Sequence, residues 1–362
     1  MRQSFDIVVI GGGPSGTASA ITLAHSGYSV AIIERTQYDQ ARVGETLPPS
    51  ARVPLADLGV WEEFIGTKPI PSHGILSCWG SPEPQSNDFI FDPYGNGWHI
   101  DRCEFDSMLA RAAESVGAKI FRGSRVIECS REANTWQIKF MEADDISGLW
   151  ARALIDATGR AASMAGRLGA KRISYDQLIG VIRFLSPRET VPPHDSMLVE
   201  ATPNGWWYSA PLPNARLVVA FMTDADLWAT YIHNSQNAWL SQLEHAPYTR
   251  KRVKAYTSLI TKPLVRAANS SHLDVIAGEC WLATGDAALS FDPLSAQGIQ
   301  KSLEAGMASA HASVEQLKNK QSAVRDYAHA VQTDFISYQG WCKYYYGQEL
   351  RWPDSLFWQR RQ

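Results

Sequence analysis

Phe5-Asp6-Ile7-Val8-Val9-Ile10-Gly11-Gly12-Gly13-Pro14-Ser15-Gly16 decides the fold. Its first six residues are an apolar run rich in β-branched side chains, the length of one buried strand. The glycines that follow fit G-x-G-x-x-G at Gly11, Gly13 and Gly16. Pro14 to Ser26 reads as a helix closing at Gly27, and Ser29 to Ile33 as a second strand that stops at Glu34. In this arrangement Gly11 allows a tight turn and Gly13 lets the backbone approach a pyrophosphate. Gly16 lets the helix pack on the strand. Pro14 and Ser15 open that helix, whose N-terminus faces the anion. Glu34 stands where an acid would accept ribose hydroxyls, with Arg35 beside it as a further candidate contact. Glycine-rich turns alone are common; strand, glycines, helix, strand and acid in order are a much stronger signal.

The rest of the chain sets bounds around this unit. At 362 residues it is long for one core, so two lobes are expected. A net charge of -3 argues against a general nucleic-acid binder. Cys78, Cys103, Cys129, Cys280 and Cys342 are scattered, without the spacing of a zinc site or a disulfide framework, so no metal is expected and a reducing, cytoplasmic setting is. The first strand begins at once, leaving no room for a signal peptide, and no apolar run approaches the ~18 residues of a membrane span.

Coarse periodicity gives the organisation. Residues 51–66 read as one helix. Gly74–Gly80 and Asp88–Pro93 read as strands. Phe105, Leu109, Ala112 and Val116 recur at helical spacing, and Lys119 to Phe140 alternates like a meander. Residues 172–268 read mostly as strands, with a helical insert at about 226–244. Ala296 to Leu317 is a long helix, and the tail from Ala323 is helical and aromatic. The expected architecture is α/β in two lobes. A Rossmann-type nucleotide domain (1–73, 99–171 and 271–318) is interrupted by a mainly antiparallel substrate sheet (74–98 and 172–270). A helical tail, 319–362, ends the chain.

Two distant stretches carry a family resemblance. Asp156-Ala157-Thr158-Gly159 resembles the A-T-G strand end of FAD enzymes of the glutathione-reductase superfamily. Gly285-Asp286-Ala287-Ala288, followed by Asp292-Pro293-Leu294-Ser295-Ala296-Gln297-Gly298-Ile299, resembles the G-D motif of the hydroxylase and halogenase branch. The resemblance implies one bound FAD. Ala157, Thr158 and Gly159 would pass near the adenosine. Asp286, after Gly285, would accept from ribityl hydroxyls. Gly298 and Ile299 would offer backbone N–H groups to the flavin pyrimidine edge, and Pro293 would wall the ring. Arg42 and Arg102, the latter in Arg102-Cys103-Glu104-Phe105-Asp106, would lie near the phosphates or ribityl chain.

Within that branch, Gly44-Glu45-Thr46-Leu47-Pro48-Pro49 resembles a segment of flavin-dependent halogenases. Gly205 to Leu212 resembles a degenerate W-x-W-x-I-P motif that keeps Trp206 and Pro211 but has Tyr208 at the second aromatic place. These three residues would line the substrate cavity. Halogenases also carry a Lys near the substrate; the stretch Pro71-Ser72-His73-Gly74-Ile75 has none, and Lys68 is out of register, so halogenation is not expected. With the tail Arg351-Trp352-Pro353-Asp354-Ser355, the chain looks like the halogenase-like flavoproteins that mature quinoprotein amino-acid oxidases carrying cysteine tryptophylquinone. That resemblance implies oxygenation of a Trp in a partner oxidase precursor, with molecular oxygen as co-substrate and NAD(P)H as a possible transient reductant. Glu45 and His73 are the candidate acid/base groups. A small-molecule hydroxylase or halogenase, or a flavin-binding chaperone without turnover, stand as alternatives. The tail aromatics Trp341, Tyr344, Tyr345, Tyr346, Trp352, Phe357 and Trp358 either pack on the body or dock the partner.

Overall fold

A computed structural model describes residues 3–188, 196–231, 235–258 and 262–362. Its architecture is mixed α/β. In the nucleotide sheet Gln3–Ile10 lies between Val30–Ile33 and Asp145–Asp156, parallel to both. Lys119–Phe121 extends one side, and Trp281–Ala283 the other, before Ala277–Gly278 closes the row. The meander Ser124–Glu132 and Thr135–Glu142 adds to Asp145–Asp156 as antiparallel strands. Both faces of the first strand are buried: Ile7 and Val9 join one core, Val8 and Ile10 the other. Such two-faced burial explains its unbroken apolar run.

The helix Pro14–His25 packs on the long helix Gly298–Leu317 through small residues. A methyl at Gly306 would come 2.4 Å from the Ser15 carbonyl oxygen. The Ser19 hydroxyl meets Gly306 O at 3.1 Å and Ser309 Oγ at 2.9 Å. This close approach seats the start of the first helix, which follows the end of the first strand, against Gly306 in the body of the long helix.

The second sheet runs Tyr256–Ser258, Leu178–Pro187, Arg216–Asp224, Gly205–Leu212, Ser196–Thr202, Gly74–Cys78 and Gln85–Asp88, with Leu264–Ala267 also on Leu178–Pro187. All neighbours are antiparallel except Ser196–Thr202 with Gly74–Cys78. Thr46–Leu47, Gly97–His99 and Ile70–Ser72 form a separate small sheet. One of its faces carries Trp98, packed against Trp61 and Phe64. The other turns toward Tyr208 of the second sheet.

Three expected elements differ. The helix over 51–66 is two, Arg52–Asp57 and Trp61–Gly66, because Gly59 takes a φ of +74° between them. The strand over 88–93 ends at Asp88: Phe89 N donates to His73 O at 2.8 Å, and the chain turns through Phe89–Phe91. The insert at 226–244 contains Ala225–Ala229 and Ser235–Leu243, and a further helix, Pro247–Val253, follows it; residues 232–234 lie outside the described residues.

The tail is one helix, Gln321–Gly347, and a short one, Leu356–Gln359. Phe335, Tyr338, Tyr346, Phe357 and Trp358 are buried, whereas Trp341, Tyr344 and Tyr345 are exposed. Among the described residues no helix is long and apolar enough to cross a membrane.

Candidate cofactor and active site

The glycine loop divides into closed and open positions. Gly11 has a φ of +104°, and a methyl there would strike the Ala157 carbonyl oxygen at 2.2 Å. One at Gly16 would strike Gly11 O at 1.9 Å. Gly13 is different: its nearest neighbour would be Arg42 Nη1 at 4.0 Å. Space is therefore left only where a ligand would approach. Neither Gly13 nor Gln297, the residues preceding the two helices, has a side chain capping the free N–H groups.

Glu34 is buried and already engaged. It accepts from Gly12 N at 2.7 Å, from the Thr36 amide at 3.0 Å and hydroxyl at 2.6 Å, and from Arg42 Nη2 at 3.1 Å. Its carboxylate holds the loop in shape. Arg35 is exposed beside it. Arg42 and Arg102 converge on one carboxylate, Asp106, at 3.1 and 3.0 Å. Asp106 was absent from the expected site, although it closes the motif that begins at Arg102; the spacing of four puts both on one helix face.

The A-T-G stretch turns under the loop. Ala157 N donates to Ile10 O, and the Thr158 amide and hydroxyl donate to Asp156 Oδ1 at 2.9 and 2.7 Å. A φ of +68° at Gly159 directs the chain away. Gly285, at φ +56°, lies against Ser15, so Asp286 stands beside the start of the first helix. Arg160 Nε is 3.5 Å from its carboxylate, and Arg172 donates to the Asp286 and Ala287 carbonyls.

Beyond Asp286, the buried Asp292 accepts from Leu294 N at 2.8 Å and from the Tyr346 hydroxyl at 2.7 Å. Burial pushes its carboxyl up to about 6. Pro293 and Gly298 are exposed and Ile299 is buried; a methyl on Gly298 would meet nothing within 4 Å. Gly44, at φ +97°, brings the next segment in: a methyl there would be 3.7 Å from Ile299 Cδ1 and 2.9 Å from Arg102 Nη1. Glu45 follows. It is buried, its Oε2 accepts from Gly44 N at 3.0 Å, and its Oε1 has no partner among the described residues. Burial raises its carboxyl to about 7, against the opposing pull of the Gly44 N–H and Arg102.

His73 does not join Glu45. It is exposed, with Nδ1 3.2 Å from Asn96 Oδ1. The inward positions are Ser72 and His99, both fully buried. Thr46 Oγ1 lies 2.7 Å from the Tyr208 hydroxyl and 3.2 Å from His99 Nδ1. Burial, aided by the Arg252 charge, lowers the imidazole to about 3. Burial also lifts the Tyr208 phenol far above its ordinary value. His99 Nε2 and Ser72 Oγ have no partner among the described residues. Of the three cavity candidates, Tyr208 alone is half-buried; Trp206 and Pro211 are buried. The Trp206 indole N–H donates to Tyr346 OH at 3.0 Å, and Trp79 packs edge-on to it at 6.2 Å. Trp206 is therefore core, where the motif pattern expected a cavity wall. Sequence offered no sign of His99, since a lone His in a short polar strand reads like any other.

The open approach to Gly13, two uncapped helix ends, the Asp286 carboxylate and the space above Gly298 fit a dinucleotide carrying a flavin ring.

Comparison with known proteins agrees with this geometry. Residues 4–321 match the family described as FAD binding domain. LodB of Marinomonas mediterranea, itself named only provisionally as an FAD-dependent oxidoreductase, is 32% identical, over 99% of this chain and 97% of its own. The solved structure of the myxobacterial chondrochloren halogenase CndH superposes with a TM-score of 0.91 at 22% identity, covering 100% of this chain and 86% of the other. The peptidyl tryptophan dihydroxylase QhpG, essential for tryptophylquinone cofactor biogenesis, superposes with a TM-score of 0.81 at 22% identity, covering 99% and 79%. Other relatives are named halogenases, brominases or chlorinases. The structural likenesses, at these identities, show the shared fold.

Proposed function

The chain belongs to the FAD binding domain family, and from that premise we propose that it oxygenates the indole of a Trp in the precursor of a quinoprotein amino-acid oxidase. The coarser statement is established: this is an FAD-dependent oxidoreductase of monooxygenase type on a halogenase-like scaffold. The narrower reading is carried by the polar face of the small sheet. Ser72 occupies the stretch in which a halogenase would place its Lys. Lys68 instead lines an outer groove of about 530 Å³ with Ile70, Ile100, Asp101 and Asn214.

When bound and reduced, FAD supplies the electrons that activate molecular oxygen. The start of the helix Pro14–His25 would hold its pyrophosphate, with Arg42 and Arg102 nearby. Asp286 would accept from its ribityl hydroxyls. The start of the helix Gly298–Leu317 would favour negative charge at the pyrimidine edge by roughly 0.3–2 kcal/mol. Glu45 would hold or release a proton beside that edge near neutral pH, since its carboxyl titrates at about 7. Pro293 would wall the ring, and the two lobes would exclude water. NAD(P)H, as donor, would meet the protein only transiently. The five unpaired cysteines suit a reducing cytoplasm. Trp341, Tyr344 and Tyr345, with ring centres 5.4–6.3 Å apart on the exposed side of the tail helix, would supply aromatic anchors for the precursor.

A small-molecule halogenase or hydroxylase is the second reading, and the names of the relatives favour it over the first. One experiment separates the two. The FAD-loaded protein, reductant and oxygen are mixed with unmodified precursor, and in parallel with free tryptophan and bromide. Oxygen mass gained on a precursor Trp is the expected result. An unchanged precursor together with brominated or hydroxylated free tryptophan would establish the second reading.

A further inference from the structure

We propose that His99 sets the direction of a hydrogen-bond chain that makes Tyr208 a proton donor toward an oxygen on the substrate ring. The chain runs from His99 Nδ1 to Thr46 Oγ1 at 3.2 Å and from Thr46 Oγ1 to the Tyr208 hydroxyl at 2.7 Å. Its two outer members are half-buried and its inner member is fully buried. Position along the small sheet fixes this order. Thr46 and Ile70 both pair with His99, so all three share one face, and Ser72, paired with Gly97, stands one step along it.

Each hydroxyl in such a chain can donate one proton, so the tautomer of the ring decides which way all of them point. His99 is neutral, because burial and the Arg252 charge oppose protonation. Its Nε2 has no acceptor among the described residues. A proton on Nε2 would therefore be buried and unpaired, whereas one on Nδ1 has Thr46 Oγ1 to receive it. The proton belongs on Nδ1. It is donated to Thr46 Oγ1, and the Thr46 proton is then donated to the Tyr208 oxygen. Tyr208 has its acceptor capacity used from within, and its own O–H is left to turn outward. The phenol cannot ionise in this setting, so it remains a donor. Glu45, whose charge reaches Tyr208, adjoins Thr46 in the chain, which puts this donor beside the cofactor end of the site.

A donor at that place selects for oxygen. The class of ligand is an indole-sized ring bearing a carbonyl or hydroxyl, as opposed to the bare ring; this rests on the proposed indole substrate. Binding of oxindole and of indole to the FAD-loaded protein, read by the change in bound-flavin absorbance without turnover, tests it. Oxindole should bind about three- to tenfold more tightly than indole. Tyr208→Phe should erase the preference. Thr46→Val, close in shape, should reduce it by freeing the phenol to rotate. His99→Gln, whose amide N–H can replace the ring donor, should retain part of it, and His99→Leu should not. Unchanged FAD stoichiometry in each variant marks an intact site. Equal binding of the two probes to the wild type, a preference surviving in Tyr208→Phe, or wild-type behaviour of Thr46→Val would each overturn the proposal. The precursor assay fails or succeeds independently, because it reads product mass and this reads binding alone.

Discussion

Gly13 and Glu45 show how single residues separate binding from folding. A side chain at Gly13 finds open space, so Gly13→Asp should fold, yet its carboxylate occupies the place of the pyrophosphate. The purified variant should have lost the flavin absorbance while keeping the melting temperature of the flavin-free wild type. Gly16→Ala, driven against Gly11 O, should instead lose both. Glu45 acts through pH. Its carboxyl is raised from 4.5 to about 7 in the folded protein, so the folded state holds a proton that the unfolded chain releases between those values. Stability therefore falls as pH rises from 4.5 to 7, by roughly 3 kcal/mol at most, and the loss is complete above pH 7. Glu45→Gln should match the wild type at pH 4.5 and melt higher at pH 8; parallel melting curves at both values would contradict this. The residues legible in the sequence were those whose type is dictated by backbone geometry: Gly11 and Gly16, where a side chain would strike the neighbouring backbone. His99, Asp106 and Asp292 were not, because the contacts that define them come from 46 to 64 positions away: Thr46 to His99, Arg42 to Asp106, and Tyr338 and Tyr346 to Asp292.

The tail helix is the element that ties the cofactor loop to the second sheet. On its inner side Tyr338 OH accepts from Asp292 N at 2.7 Å, and Tyr346 OH donates to the Asp292 carboxylate. Tyr346 also accepts from Trp206. Tyr346→Phe would leave the carboxylate short of a donor and the indole without an acceptor, destabilising the protein by about 1–3 kcal/mol. Because Pro293 follows Asp292, FAD should dissociate several-fold faster, measurable by dilution of the loaded protein into excess apo-flavoprotein acceptor. An unchanged rate would mean that the loop is held elsewhere. The helix itself was readable from its pattern, but its inner contacts were not: Tyr338 and Tyr346 look like Tyr344 and Tyr345 in sequence, and only packing sorts them. The break at Gly59 was missed because one glycine is tolerated within a helical pattern; the turn at Phe89 was hidden by an aromatic run typical of strands.

At the scale of the molecule, the aromatic tail is half core and half surface. Trp358 is fully buried, donating to Thr202 O at 2.9 Å and stacked near Trp352. Trp358→Ala should cost about 3–5 kcal/mol and unsettle the second sheet. Replacing Trp341, Tyr344 and Tyr345 together with Ala should leave melting and FAD content as they are and weaken precursor binding at least tenfold, measured by calorimetry; equal affinity would remove this surface from the partner reading. The two-lobe plan was visible as alternating patterns, whereas the small sheet between the lobes, made of strands of two or three residues, was too short to leave a period. The placing of the first strand has a further consequence, for synthesis. Gln3–Ile10 emerges from the ribosome early, but one of its neighbours, Asp145–Asp156, is about 140 residues later. At roughly 5–20 residues per second that interval is on the order of ten to thirty seconds. Throughout it the nascent chain carries an apolar strand with an open edge, so soluble yield is expected to fall in cells depleted of a ribosome-associated chaperone, and an unchanged yield would contradict this.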